Sequence, residues 1–160
     1  MKRIFFIVVV LLCIIVSGVS AQSSSKEAFQ NSIIAFLRND LELLPSIDSD
    51  GDIEFKDHED ETHYIRILST SAPFFVILSR QGYTLTGDRG LSRREAILAA
   101  NKTNSEVDAV KVYCSERSLF FHVEQYFQTV DDFKNVFFVN MEVLKKAENT
   151  FVVEYNRLRP

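Results

Sequence analysis

Residues 46–57 read SIDSDGDIEFKD, with acids at alternate positions, Gly51 in the sixth place and Ile53 in the eighth. An EF-hand calcium loop has acidic ligands at its first, third and fifth positions, Gly at the sixth and a bidentate Glu at the twelfth. Here Ser46 stands first and Asp57 last, a hydroxyl in place of a carboxylate and a shorter acid in place of Glu. Beyond Gly51 the chain alternates as a strand, with Ile53 and Phe55 against Asp52, Glu54 and Lys56. Asp50-Gly51 therefore reads as a tight turn from a helix into a first strand, Gly51 supplying a positive φ. Eight acids against Lys56 across residues 48–61 predict a solvated, negatively charged end of a sheet.

The other residues able to do chemistry are His58, His63, His122 and Cys114. No two histidines have zinc-site spacing and no cysteine pair accompanies them. A Cys/His nucleophilic pair needs Cys114 beside His122. In DAVKVYCSERSLFFHVEQYF, a hairpin tipped by Glu116 and Arg117 sets Cys114 opposite Leu119, Val112 opposite Phe121 and Lys111 opposite His122. Side chains alternate across a strand, so Cys114 and His122 point to opposite faces, and Cys114 becomes a small core residue. The same register sorts Val110, Val112, Cys114, Leu119, Phe121, Val123 and Phe127 onto a core face, Gln125 being the exception. Lys111, Tyr113, Phe120, His122 and Tyr126 share the other face, an aromatic surface mixed with polar groups. Such a composition is common where another chain or a ligand covers a surface, and these five residues are the candidate partner-binding site. There is no phosphate-cradling Gly loop and no GxSxG elbow. No catalytic residue, cofactor or metal is expected.

Elements must hold that face in place. KEAFQNSIIAFLRNDLELL carries Phe29, Ile33, Phe36, Leu37, Leu41 and Leu44 at helical spacing, with Ser24 and Glu27 as a capping box and Pro45 as its stop. DIEFK, HYIRIL and APFFVILS read as three strands, the last continuously apolar and so central. Residues 80–90 read as a loop that includes a short strand over 83–85. Ser92 and Glu95 open a second helix whose packing side is Ala96, Ile97, Ala99 and Ala100, with Asn101 and Asn104 near its end. After the hairpin, Thr129 and Asp132 cap a long helix with Phe133, Val136, Phe137, Met141, Leu144, Phe151 and Tyr155 as its stripe. The order α-βββ-α-ββ-α predicts an α+β fold, a single antiparallel sheet of about five strands with helices packed against it.

Lys2 and Arg3, the apolar run from Ile4 to Val16 and the small residues ending at Ala21 form a secretory signal pattern, residues 1–21. Residues 22–160 then form one domain outside the cytoplasm, periplasmic or secreted. Cys13 lies inside the apolar run, leaving Cys114 as the single cysteine and no disulfide framework. Cleavage removes two cations and no acid, taking the net charge from −4 to −6. Such a chain gains nothing from counterion release on nucleic acid and has no polybasic patch for an anionic membrane.

Several stretches resemble one family: DGDIEF followed by HYIRIL, the ILAANKTN helix end leading to AVKVYC, the return LFFHVEQYF, and the acidic start and aromatic stripe of the last helix. Over residues 26–156 the chain resembles the YbjN-type domains, proposed bacterial sensory transduction regulators with a type III secretion chaperone-like fold. The resemblance implies a small non-enzymatic domain, a homodimer that binds another protein, with no catalytic residues to carry over. The expected function is an exported protein-binding or chaperone-like regulatory module. The alternatives are a small-ligand or cation binder using the acidic turns, or a hydrolase with an unrecognised site.

Overall fold

The computed structural model describes residues 25–85 and 90–159, so the signal segment lies outside the described residues. In chain order the elements are α1 (Lys26–Asn39), β1 (Ser46–Ile47), β2 (Ile53–Lys56), β3 (Thr62–Ile67), β4 (Phe74–Thr84), α2 (Arg93–Glu106), β5 (Lys111–Cys114), β6 (Ser118–Phe127) and α3 (Val130–Leu158). The six strands form one antiparallel sheet in the order β1-β2-β3-β4-β6-β5. The fold is α+β, as expected. The added strand is β1, two exposed residues with no alternation to betray them.

The three helices among the described residues all cover one face of the sheet. Phe29 of α1 stacks on Phe74 of β4 at 4.2 Å, and Phe36 meets Phe133 and Phe137 of α3 edge-on. Ala96, Ala99 and Ala100 are buried where α2 approaches α3 and β5. Alternate strand residues Ile53, Phe55, Ile65, Ile67, Val76, Leu78, Phe121 and Val123 complete the core. Gln125, the polar exception on this face, accepts a hydrogen bond from buried Asn140 of α3 at 3.0 Å. Among the described residues no helix is long and apolar enough to cross a membrane.

Several boundaries differ from the expected ones. α1 stops at Asn39, well before Pro45, because Glu42 takes φ 56° and the Leu43 amide reaches back to the Leu37 carbonyl. That turn buries Leu43 and leaves Leu44 88% exposed, so Leu44 is not part of the helical stripe. The α1 cap is Ser25, whose side chain accepts from the Ala28 amide, while Ser24 lies outside the described residues. At α2 the Ser92 hydroxyl contacts the Glu95 carboxylate but does not cap the backbone; the Ser92 amide instead donates to the Tyr155 hydroxyl. Ile97 faces outward, since the alanines bring the helix too close to its neighbours for a larger side chain on that side. The Thr129/Asp132 capping box forms as the sequence predicts.

The expected loop at Arg80 is strand: β4 runs on to Thr84, with a register shift between Gln81 and Thr84. Gly82 sits at that irregularity, where a Cβ would lie 2.7 Å from Phe121 Cε2. The absence of a side chain there lets β4 continue past the buried ring.

Candidate functional site

Because the described helices take one face, the other is left open among the described residues. The β5–β6 register is the expected one, with Lys111 opposite His122, Tyr113 opposite Phe120 and Cys114 opposite Leu119. Tyr113 stacks on Phe120 at 5.5 Å, and both meet the His122 ring edge-on, at 4.9 and 5.9 Å. Lys111 reaches Glu124 at 3.4 Å. Lys111, Tyr113, Phe120 and His122 thus form one cluster. Tyr126 stands apart, four residues along β6 and so about 13 Å away, where it packs on Phe75 of β4 at 4.8 Å and remains 70% exposed.

His122 lies at the centre of this face, between Ser79 of β4 and Lys111 of β5. Its side chain is only 11% exposed, and burial pushes its pKa down to about 4. Glu124 opposes that fall; Lys111 and Arg66 add to it. The ring is therefore neutral at physiological pH, with its nearest polar neighbours the Tyr113 hydroxyl at 3.5 Å and a Glu124 oxygen at 4.0 Å. The Tyr113 hydroxyl meets Nε2 at the long limit of hydrogen-bond range.

The structure adds residues that the hairpin alone does not reveal. Tyr64 and Arg66 of β3 and Phe75, Ile77 and Gln81 of β4 share the open face. The signal for Phe75 and Ile77 is the continuous apolar run of β4. A strand apolar on both sides is ordinarily covered on both, yet the helices cover only one.

The acidic loops resolve into two turns of the same construction. Asp48 Oδ1 accepts from the amides of Asp50 and Asp52, both at 2.9 Å, and Gly51 takes φ 84°. Asp57 Oδ1 accepts from the amides of Glu59 and Glu61, at 2.9 and 3.0 Å, and Asp60 takes φ 64°. The first turn joins β1 to β2, correcting the expected helix-to-strand turn. The acids are also not uniformly solvated: Asp52 is buried and binds Arg66 Nε at 2.7 Å, and Asp57 Oδ2 lies 2.9 Å from His63 Nε2. Among the described residues no three His, Cys, Asp or Glu side chains converge as a metal site.

Cys114 lies on the helix side, half-buried, with burial pushing its thiol pKa up and Arg93 pulling against it. It is neither activated nor on the face of His122, so the two cannot act as a nucleophilic pair.

Both edges of the sheet are poor templates for an added strand. On β5 the outward backbone groups of Val112 are held by Asn104 of α2, which donates to the carbonyl at 2.8 Å and accepts from the amide at 2.7 Å. At the opposite edge β1 offers two residues. Asn104, expected only to end its helix, closes the sheet edge.

The fold and site together define a one-sided α+β sandwich with an uncovered aromatic sheet face. Comparison with family profiles, with curated proteins and with solved structures gives no match to this chain.

Proposed function

We propose that this chain is an exported, non-enzymatic protein-binding module of YbjN-like, secretion chaperone-like form, with a regulatory role, working through the open face of its sheet. The observation that carries the reading is the central strip of that face: Phe75, Ile77, Phe120 and His122 are half-buried with no helix of the described residues over them, and Tyr113 and Tyr126 stand exposed beside them. Aromatic residues set among a few charges are what protein interfaces enrich. The blocked edges direct a partner to the face, since strand addition needs free backbone groups. The face carries two ion pairs, Lys111 with Glu124 at 3.4 Å and Arg66 with Asp52 at 2.7 Å, so it presents both signs of charge and a second copy of the chain can complement it; a homodimer is the first occupant proposed.

The test is sedimentation of the chain and of the double variant Tyr113→Ser, Tyr126→Ser over a wide concentration range. Both side chains are exposed, so the variant folds; a dimer that becomes a monomer supports the proposal. A chain that is monomeric throughout, or a dimer unmoved by the variant, removes this face as the homodimer surface. N-terminal sequencing of the exported chain checks the other half, and it should begin at Gln22.

A further inference from the structure

The strand registers set the charges of the open face into a pattern. β4 is the middle of that face, with β3 and β2 on one side and β6 and β5 on the other. Cross-strand partners therefore fall into rows that run across β4. One row is Arg66, Ile77, Glu124. The next is Glu54, Tyr64, Ser79, His122, Lys111. Residues two apart in a strand share a face, so the two rows lie side by side on the open one.

Positions equally far from β4 in a row are complementary. One strand out, Arg66 on the β3 side is matched by Glu124 on the β6 side. Two strands out, Glu54 of β2 is matched by Lys111 of β5. Tyr64 and His122, one strand out in the second row, are both aromatic rings. In the row beyond Arg66, Leu68 and Tyr126 flank Phe75 and are apolar on both sides, 55% and 70% exposed. The charged pairs do not meet within one chain. Neighbouring strands are about 4.8 Å apart, which separates Arg66 from Glu124 by roughly 10 Å and Glu54 from Lys111 by roughly 19 Å.

A surface whose charges change sign across a line is self-complementary under a two-fold rotation about that line. Rotation about β4, in the plane of the interface, lays β3 of one copy on β6 of the other and β2 on β5. Arg66 then faces the second copy's Glu124, Glu54 faces its Lys111, and Phe75 and Ile77 meet their own counterparts on the axis. Each pair occurs twice, as an isologous interface requires. A two-fold axis across the strands, through the Ser79 row, instead sets Glu54 on Glu54 and Lys111 on Lys111. Opposed like charges are costly at an interface, so the pattern selects the axis along β4.

We propose that two copies of the chain pack open face on open face about a two-fold axis along β4, with Arg66–Glu124 and Glu54–Lys111 as the ion pairs between them. The sheets stack about 10 Å apart in the aligned manner of a sandwich. The intrachain pairs Asp52–Arg66 and Lys111–Glu124 do not compete with this, because the Arg66 and Lys111 side chains are 50% and 63% exposed. They join into one series of alternating sign: Asp52 and Arg66 of one copy, Glu124 and Lys111 of the second, then Glu54 of the first. The arrangement rests on the reading of the open face as a homodimer surface and adds which residues meet.

The experiment is sedimentation equilibrium of the exported chain and of the variants Glu54→Lys and Lys111→Glu, each alone and the two mixed. Neither side chain is buried, so the variants fold, and Tm checks that they do. Each variant alone turns two attractive contacts into repulsive ones and should dimerise at least about tenfold more weakly than the parent. Mixed in equal amounts they should recover the parent's affinity, because the mixed dimer has one native pair and one reversed pair. In the parent, a zero-length carbodiimide should link Lys111 to Glu54, a bond that the strand spacing forbids within one chain. A dimer that both variants leave intact, a mixture that stays monomeric, or a parent dimer without the Lys111–Glu54 link overturns this axis and leaves the homodimer reading standing. A parent that is monomeric throughout overturns both.

Discussion

Asp48 and Asp57 each fold the chain back on itself with one carboxylate oxygen and two backbone amides, and in each turn the residue three places on takes positive φ. In the first that residue is Gly51, which the DG pair makes legible from sequence. In the second it is Asp60, which has no such signature, so the repetition of the turn is hidden. Nothing lies within 4 Å of a Cβ at Gly51, so substitution there is resisted by backbone conformation alone. Gly51→Ala should lower stability by about 1 kcal/mol in chemical denaturation, and Gly51→Asn by less, since Asn tolerates that region. Equal losses for both would mean that side-chain bulk, not φ, governs the position. The same hydrogen bonds bear on the calcium question, because Asp48 Oδ1 is already occupied by two amides. Millimolar calcium should leave Tm unchanged; a reproducible rise would restore the acidic turns as a cation site.

At the scale of elements, the periodic segments are legible and their ends are less so. The β5–β6 register follows from a short tip and strict alternation, and α3 from its cap and stripe. The stop of α1 depends on the Glu42 turn, which buries Leu43, a contact no local pattern announces. The extension of β4 depends on Gly82 passing Phe121, which lies on another strand. Gly82→Ala should therefore cost about 1–3 kcal/mol, the usual penalty for forcing a methyl into a packed core. A neutral result would show that the strand irregularity absorbs it. Asn104 acts between elements in the same way, so Asn104→Ala leaves both backbone groups of Val112 open. The expected loss is about 1–2 kcal/mol together with faster amide exchange at Val112. Unchanged exchange would mean that water or a neighbouring group replaces the asparagine.

The molecule as a whole places its two most buried histidines on opposite sides of one sheet, His122 on the open face and His63 beside the helices. Half of the candidate site was legible, the part on β5 and β6. The half on β3 and β4 was not, because a continuously apolar strand does not say which of its faces will be left uncovered. The pairing of His63 with Arg80 was not legible either, since it requires knowing the β3–β4 register. A shared consequence for stability follows from their common depression of pKa. Both histidines stay neutral in the folded chain below the ordinary value of 6.5, while the unfolded chain takes up protons there. Stability is thus fully present above pH 6.5 and is lost as pH falls, for His122 down to its folded value of about 4. Allowing for the solvent that still reaches it, His122 accounts for about 2 kcal/mol of that loss. The half-buried carboxyl of Glu148 is shifted up from 4.5 by partial burial and pulls the opposite way, stability falling as pH rises past that value. His122→Gln separates the two effects, because it removes one titration and leaves Glu148 in place. Denaturant unfolding at closely spaced pH values should give a shallower decline for the variant between pH 6.5 and 4. Parallel curves for variant and parent would show that His122 is as solvated in the folded chain as in the unfolded one.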